Sequence, residues 1–140
     1  MLFAADNPNY SGHWVVDLAK SDFGMLPPPE KLECDIDHKD PDMKIKTVQK
    51  GQRGESTTES KYTTDGKETT IQMRGREAKV TAVWKDGKLN VNSKSEFNGA
   101  EISQSETWNL SEDGKTLTID NEIKAPQGEF KTKSVFMKGS

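Results

Sequence analysis

Glu106 has Gln104 and Trp108 at the alternate positions on either side, in a segment running from Ala100 to Leu110. On an extended chain, alternate residues share a face. An inward Ile102 and Trp108 therefore bring Gln104 and Glu106 in with them. A carboxylate among apolar neighbours has its charged form disfavoured. It could hold a hydroxyl, an amine or a cation, or serve as a general base. The same alternation turns Ser93, Ser95, Asn121, Thr132 and Ser134 to that side. Buried polar groups cost free energy unless they are hydrogen-bonded. Such a band implies either a hydrated cavity with a ligand or side chains that satisfy one another. A one-residue slip of register over 100–110 is the alternative, and it would set Glu106 outside against Lys94 or Lys133.

Other candidate chemistry is weaker. Cys34 and His38 share a face, and an imidazole beside a thiol can make a nucleophile. Four residues along a strand span roughly 13 Å, however, too far for a hydrogen bond. Cys34 then reads as a small core residue. The acidic run Asp35, Asp37, Asp40 and Asp42 lacks the spacing and glycine of an EF-hand loop. His13 and His38 fall on opposite parities and offer no zinc triad; His38 could ligate a haem only as an isolated residue. No Ser-His-Asp set, phosphate loop or catalytic carboxylate pair can be assembled. No catalytic residue, metal or cofactor is assigned. The enzymatic alternative is an isomerase or hydrolase with Glu106 as general base, and a third reading is an interaction module with a filled core.

The elements that would position these residues are marked by turns. Asp65-Gly66, Asp86-Gly87, Asn98-Gly99, Glu112-Asp113-Gly114 and Pro126-Gln127-Gly128 punctuate the chain at near-even spacing. Asn-Gly and Asp-Gly supply the positive φ that tight hairpins need. The runs between them predict ten strands: 10–18, 31–39, 43–50, 55–64, 67–73, 77–85, 88–97, 100–110, 115–124 and 129–138. Consecutive hairpins make an antiparallel meander, which closes into a barrel. The expected fold is an all-β, antiparallel up-and-down β-barrel of about ten strands, with eight as the alternative. Hydrophobic residues make up only 31% of the 140, which suits a barrel with a partly hydrated interior better than a solid core.

Alternation of loops then separates the two ends. Trp14, Tyr62, Trp84 and Trp108 gather at one end under short turns, as an aromatic plug. Val16 and Leu18 follow Trp14 inward on the first strand. The other end carries the long 19–30 connection, the chain's arginines Arg53, Arg74 and Arg76, and the apolar Phe23, Met25 and Leu26. That end reads as a mouth, with the loop gating it and the arginines able to steer an anion. The apolar part of a guest would meet Met73, Val80, Val91, Phe97, Ile102, Ile119 and Phe130.

Gly12-His13-Trp14, at the start of the first strand, resembles the Gly-x-Trp signature of lipocalins. The ten strands are more similar to fatty-acid-binding proteins. Together they identify a bacterial lipocalin-like (calycin) barrel. The resemblance implies binding and transport of a small hydrophobic or amphipathic molecule, and thiol isomerase chemistry is known in barrels of this type. Three features depart from it. Lys138 stands where lipocalins usually place an arginine over the Trp. No helix follows the barrel. The prolines Pro27, Pro28 and Pro29 do not suit a helical lid.

The net charge of −3, with lysines interleaved among acids, argues against a nucleic-acid partner. No segment has the length of a membrane helix. Cys34 is the only cysteine, so no internal disulfide forms. Met1-Leu2-Phe3-Ala4-Ala5 resembles the end of a signal peptide, so a secreted or periplasmic protein is expected, with a cytoplasmic one as the alternative. Residues 1–9 are then a tail and 10–138 a single barrel domain.

Overall fold

A computed structural model describes residues 9–24, 28–39, 41–51, 54–73, 76–85, 87–97 and 99–139. Ten strands run in order: β1 (Gly12–Val16), β2 (Lys31–Lys39), β3 (Asp42–Gly51), β4 (Gly54–Thr63), β5 (Thr69–Met73), β6 (Arg76–Lys85), β7 (Lys88–Phe97), β8 (Ala100–Leu110), β9 (Thr116–Ala125) and β10 (Gly128–Lys138). They form one antiparallel sheet in the order β4-β3-β2-β1-β10-β9-β8-β7-β6-β5. Pairing of β1 with β10 rolls the meander into a barrel: Trp14 faces Lys138 and Val16 faces Phe136 across the ladder. The ten-strand expectation holds, and all ten spans agree within two residues at each end.

β1 is the one strand shortened at both ends. It starts at Gly12, because the chain before it turns inward: the Trp14 indole N–H donates to the Tyr10 carbonyl at 2.8 Å. It ends at Val16, because Asp17 starts a turn, its carboxylate accepting from the Ala19 N–H at 3.1 Å and its carbonyl from the Lys20 N–H at 3.2 Å. Leu18, expected inside, therefore sits in that turn and is 43% exposed. Beyond the turn the chain rejoins β10. Asp22 exchanges backbone hydrogen bonds with Lys133 at 2.7 and 2.6 Å, and the Val135 N–H donates to the Ser21 hydroxyl at 2.9 Å. The first part of the long connection is thus pinned to the wall.

The opposite seam is different. β4 and β5 stand at the two ends of the strand order and lie side by side with no ladder between them among the described residues. At the closed end the gap is bridged: Asp65 pairs with Val83, and the Gly66 N–H donates to the Ala82 carbonyl at 3.0 Å. Asp65 and Gly66 therefore reach β6 directly, which delays the start of β5 to Thr69.

The packed core fills the closed end. Tyr10, Trp14, Met43, Leu89 and Leu117 are its largest fully buried side chains. Tyr10 is the centrepiece: it stacks on His38 at 5.7 Å and Trp84 at 5.9 Å, and meets Trp108 edge-on at 5.1 Å. Its hydroxyl donates to the Trp108 carbonyl at 3.3 Å, and its N–H donates to His38 Nδ1 at 3.2 Å. Burial pushes this phenol up to about 12. Lys138 Nζ lies over the Trp14 ring, 5.8 Å from its centroid, so a cation does cover the signature Trp. Gly12, at φ 142°, admits the stem of that lysine, since a Cβ there would meet Lys138 Cε at 2.9 Å.

Candidate functional site

Above the plug the barrel is not filled. A cavity of about 440 Å³ occupies its middle, bounded below by Trp14, Tyr62 and Trp108. Apolar walls come from Ile36, Ile45, Val80, Val91, Ile119 and Phe136, with Leu32 and Ile71 higher up. Polar walls come from Ser93, Gln104, Glu106, Asn121, Thr132 and Ser134 on β7 to β10, and from Thr47, Gln49, Thr58 and Ser60 on β3 and β4.

Register puts Val91, Glu106 and Asn121 on one level of three adjacent strands. Glu106 therefore points inward, with no slip over 100–110. One of its carboxylate oxygens accepts from the Trp108 indole N–H at 3.3 Å. The group touches cavity space but is otherwise enclosed by protein, and that burial raises its pKa, partly offset by the Trp108 bond. Asn121 Oδ1, on the next strand, is buried and has no hydrogen-bond partner among the described residues.

Two other acids share this space. Burial pushes the Cys34 thiol up to about 11; the Thr47 hydroxyl at 3.7 Å pulls it down, and the charges of Glu106 and Asp35 add to the rise. Tyr62 is raised well above an ordinary phenol, by burial first and then by the Glu106 charge. A thiol held protonated in this way is a poor nucleophile at neutral pH. His38 does not activate it, being stacked in the plug with Tyr10 and Trp84.

Of the residues expected to meet a ligand, Glu106, Gln104, Ser93, Asn121, Thr132, Ser134, Val80, Val91 and Ile119 line the cavity. Ser95, Ile102 and Phe130 do not; they share the inward parity but lie farther along β7, β8 and β10, toward the mouth. At the mouth, Phe23 is half-buried beside Gly24, whose N–H donates to the Asp22 carboxylate at 2.8 Å. Met25, Leu26, Arg53 and Arg74, and the side chains of Met73, Arg76 and Phe97, lie outside the described residues. On the outer wall, His13 sits between Asp35 at 2.7 Å and Glu33 at 3.0 Å. Asp40 lies outside the described residues.

Sequence reasoning missed Tyr10, placed in the first strand rather than in the plug. It also missed Thr47 and Gln49 as cavity walls, although they continue the parity of Met43 and Ile45.

These features define the class: the fold is the calycin-like β-barrel of lipocalins and fatty-acid-binding proteins, as the Gly12-His13-Trp14 resemblance implied. No family model matches the chain, and no curated protein matches it. Solved structures do. A secretory abundant heat soluble protein from Ramazzottius varieornatus superposes with a TM-score of 0.72 at 14% identity, covering 95% of this chain and 98% of that one. Zebrafish ileal bile acid-binding protein, complexed with cholic acid, gives 0.64 at 17% identity, covering 93% and 98%. A Schistosoma mansoni fatty acid binding protein, complexed with arachidonic acid, gives 0.60 at 10% identity, covering 94% and 96%. At these identities the likeness is one of fold.

Proposed function

We propose that this protein binds and carries a small lipophilic molecule in the barrel cavity, with the polar end of the guest at the level of Glu106 and Asn121. The observation that carries the reading is the cavity itself. Its volume of about 440 Å³ falls in the range of small-molecule sites. Its walls are apolar apart from a polar band, and that band contains a buried acceptor without a partner. The two neighbours solved with cholic acid and arachidonic acid hold such molecules on the same fold, which supports the reading without extending their ligands to this chain.

Native mass spectrometry of the purified protein tests it. A stoichiometric passenger released on denaturation, or saturable uptake of an environment-sensitive fluorophore, is the expected result. An empty protein that takes up no probe overturns it. The bacterial, secreted or periplasmic setting belongs to the same proposal: export rests on Met1–Ala5 alone, which lie outside the described residues, and the bacterial origin on the lipocalin-like resemblance. Intact mass of the protein recovered from separated cell fractions tests that part.

A further inference from the structure

We propose that the cavity discriminates among lipophiles by headgroup, taking those that end in a protonated amine and refusing those that end in a carboxylate, with Glu106 as the counter-charge. The inference rests on the carrier reading above and adds the chemical class of the guest.

The argument begins with what the walls lack. No lysine, arginine or histidine lines the cavity among the described residues, and Glu106 is the one carboxylate among those that do. Two described basic side chains at the closed end are committed elsewhere. Lys138 lies over Trp14 and His38 is held in the plug. Arg76 starts β6 six residues before Ala82, which is level with Val91 and hence with Glu106. Its Cα is therefore roughly 20 Å along the wall from that level.

What the walls offer is acceptors. Glu106 gives one oxygen to Trp108 and keeps acceptor capacity. Asn121 Oδ1, the adjacent residue across the β8–β9 ladder, is buried and unpartnered. An ammonium brings three donors to Glu106, and a turn of the Asn121 side chain would open a second acceptor beside it.

A carboxylate would bring a second negative charge to the same enclosed space. Like charges that share a site cannot both ionise cheaply. The other titratable groups facing Glu106, Tyr62 and Cys34, are acids that hold their protons and offer no positive charge. The rise in the Glu106 pKa is the same effect seen from inside: the carboxylate stands there without a cation, and an amine guest supplies one.

The test compares dodecylamine, dodecanol and dodecanoate below their aggregation limits at pH 7.5, by fluorophore displacement or calorimetry. Dodecylamine is expected to bind about tenfold or more tighter than dodecanoate, which corresponds to one ion pair gained against one repulsion. Glu106→Gln should abolish most of that ratio and leave dodecanol within about threefold. Glu122→Gln, on the outer wall, should leave the ratio unchanged, which separates the cavity from general attraction to an acidic protein. Dodecanoate binding as tightly as dodecylamine, or a ratio that survives Glu106→Gln, overturns the inference while the carrier reading stands. If none of the three binds, the carrier reading itself fails. Should Glu106→Gln not fold, the ratio in the unaltered protein decides.

Discussion

Trp108 and Glu106 are two residues apart on β8 and share a hydrogen bond, yet they belong to interiors of opposite character. Around Trp108 the barrel is dry. Tyr10, Trp14, Met43 and Leu89 are fully buried, and the polar tips of the plug are tied off: indole to carbonyl, phenol to carbonyl, backbone N–H to imidazole. Around Glu106 the same strands carry Ser, Thr, Gln and Asn at inward positions, space remains, and one buried acceptor goes unpaired. Large aromatics can close a barrel because each fills volume and brings a polar tip that needs only one partner. Short hydroxyl side chains cannot fill the bore, so the middle of the barrel stays open. Close packing is concentrated at one end and open space in the middle.

Breaking the dry end should cost most. Trp14→Ala or Tyr10→Ala is expected to destabilise by about 3–5 kcal/mol, read as a lower denaturant midpoint. A loss under about 1 kcal/mol would mean that the plug is not where stability resides. Gly12→Ala comes next, at about 1–3 kcal/mol, because φ 142° is strained for alanine and the Lys138 stem must shift. In crystals or by NMR, that variant should also move Lys138 off the Trp14 ring.

In the cavity the sign reverses. Glu106 has a raised pKa in the folded chain, so the neutral form is favoured by folding. That contribution is complete below the pKa of the unfolded carboxyl and is lost as pH rises through the folded value. Glu106→Gln should therefore be more stable than the parent protein near neutrality, on the order of 1 kcal/mol, with the gap closing in acid. A variant less stable at pH 7 would show that the carboxylate is satisfied in some other way. The smallest effect is expected for Thr58→Val on the polar wall of β4, within about 0.5 kcal/mol of zero by urea unfolding. A loss comparable to that of Trp14→Ala would erase the contrast between the two regions.

The strands were legible because hairpin glycines mark the chain reversals and the inward parity is apolar at the closed end. The plug was legible through its tryptophans, but Tyr10 was not. It precedes the ladder, and only the tertiary contacts with Trp14 and His38 draw it in. On the cavity side, period-two reading carried Glu106, Gln104 and Asn121 inward because apolar residues on the same strands fixed the register. It fell short on β3, where Thr47 and Gln49 follow Met43 and Ile45 into polar territory. How far the cavity extends along each strand was not legible, so Ser95, Ile102 and Phe130 were grouped with residues nearer the centre. Depth depends on stagger between strands, and alternation specifies only the face.

The unladdered junction of β4 and β5 bears on exchange of contents. Among the described residues β4 and β5 share no ladder, so backbone donors and acceptors on the facing edges need water as a partner. Thr58 and Ser60 on one side and Ile71 on the other connect this wet stripe to the cavity. In a tube sewn shut along its whole circumference, an arriving guest and the departing water must pass one another in the same opening. Here the two flows could be separated: solvent would leave sideways while a guest came in at the expected mouth. If the barrel takes a guest as proposed, the junction would serve as a vent, and filling would not require the rim to open wide.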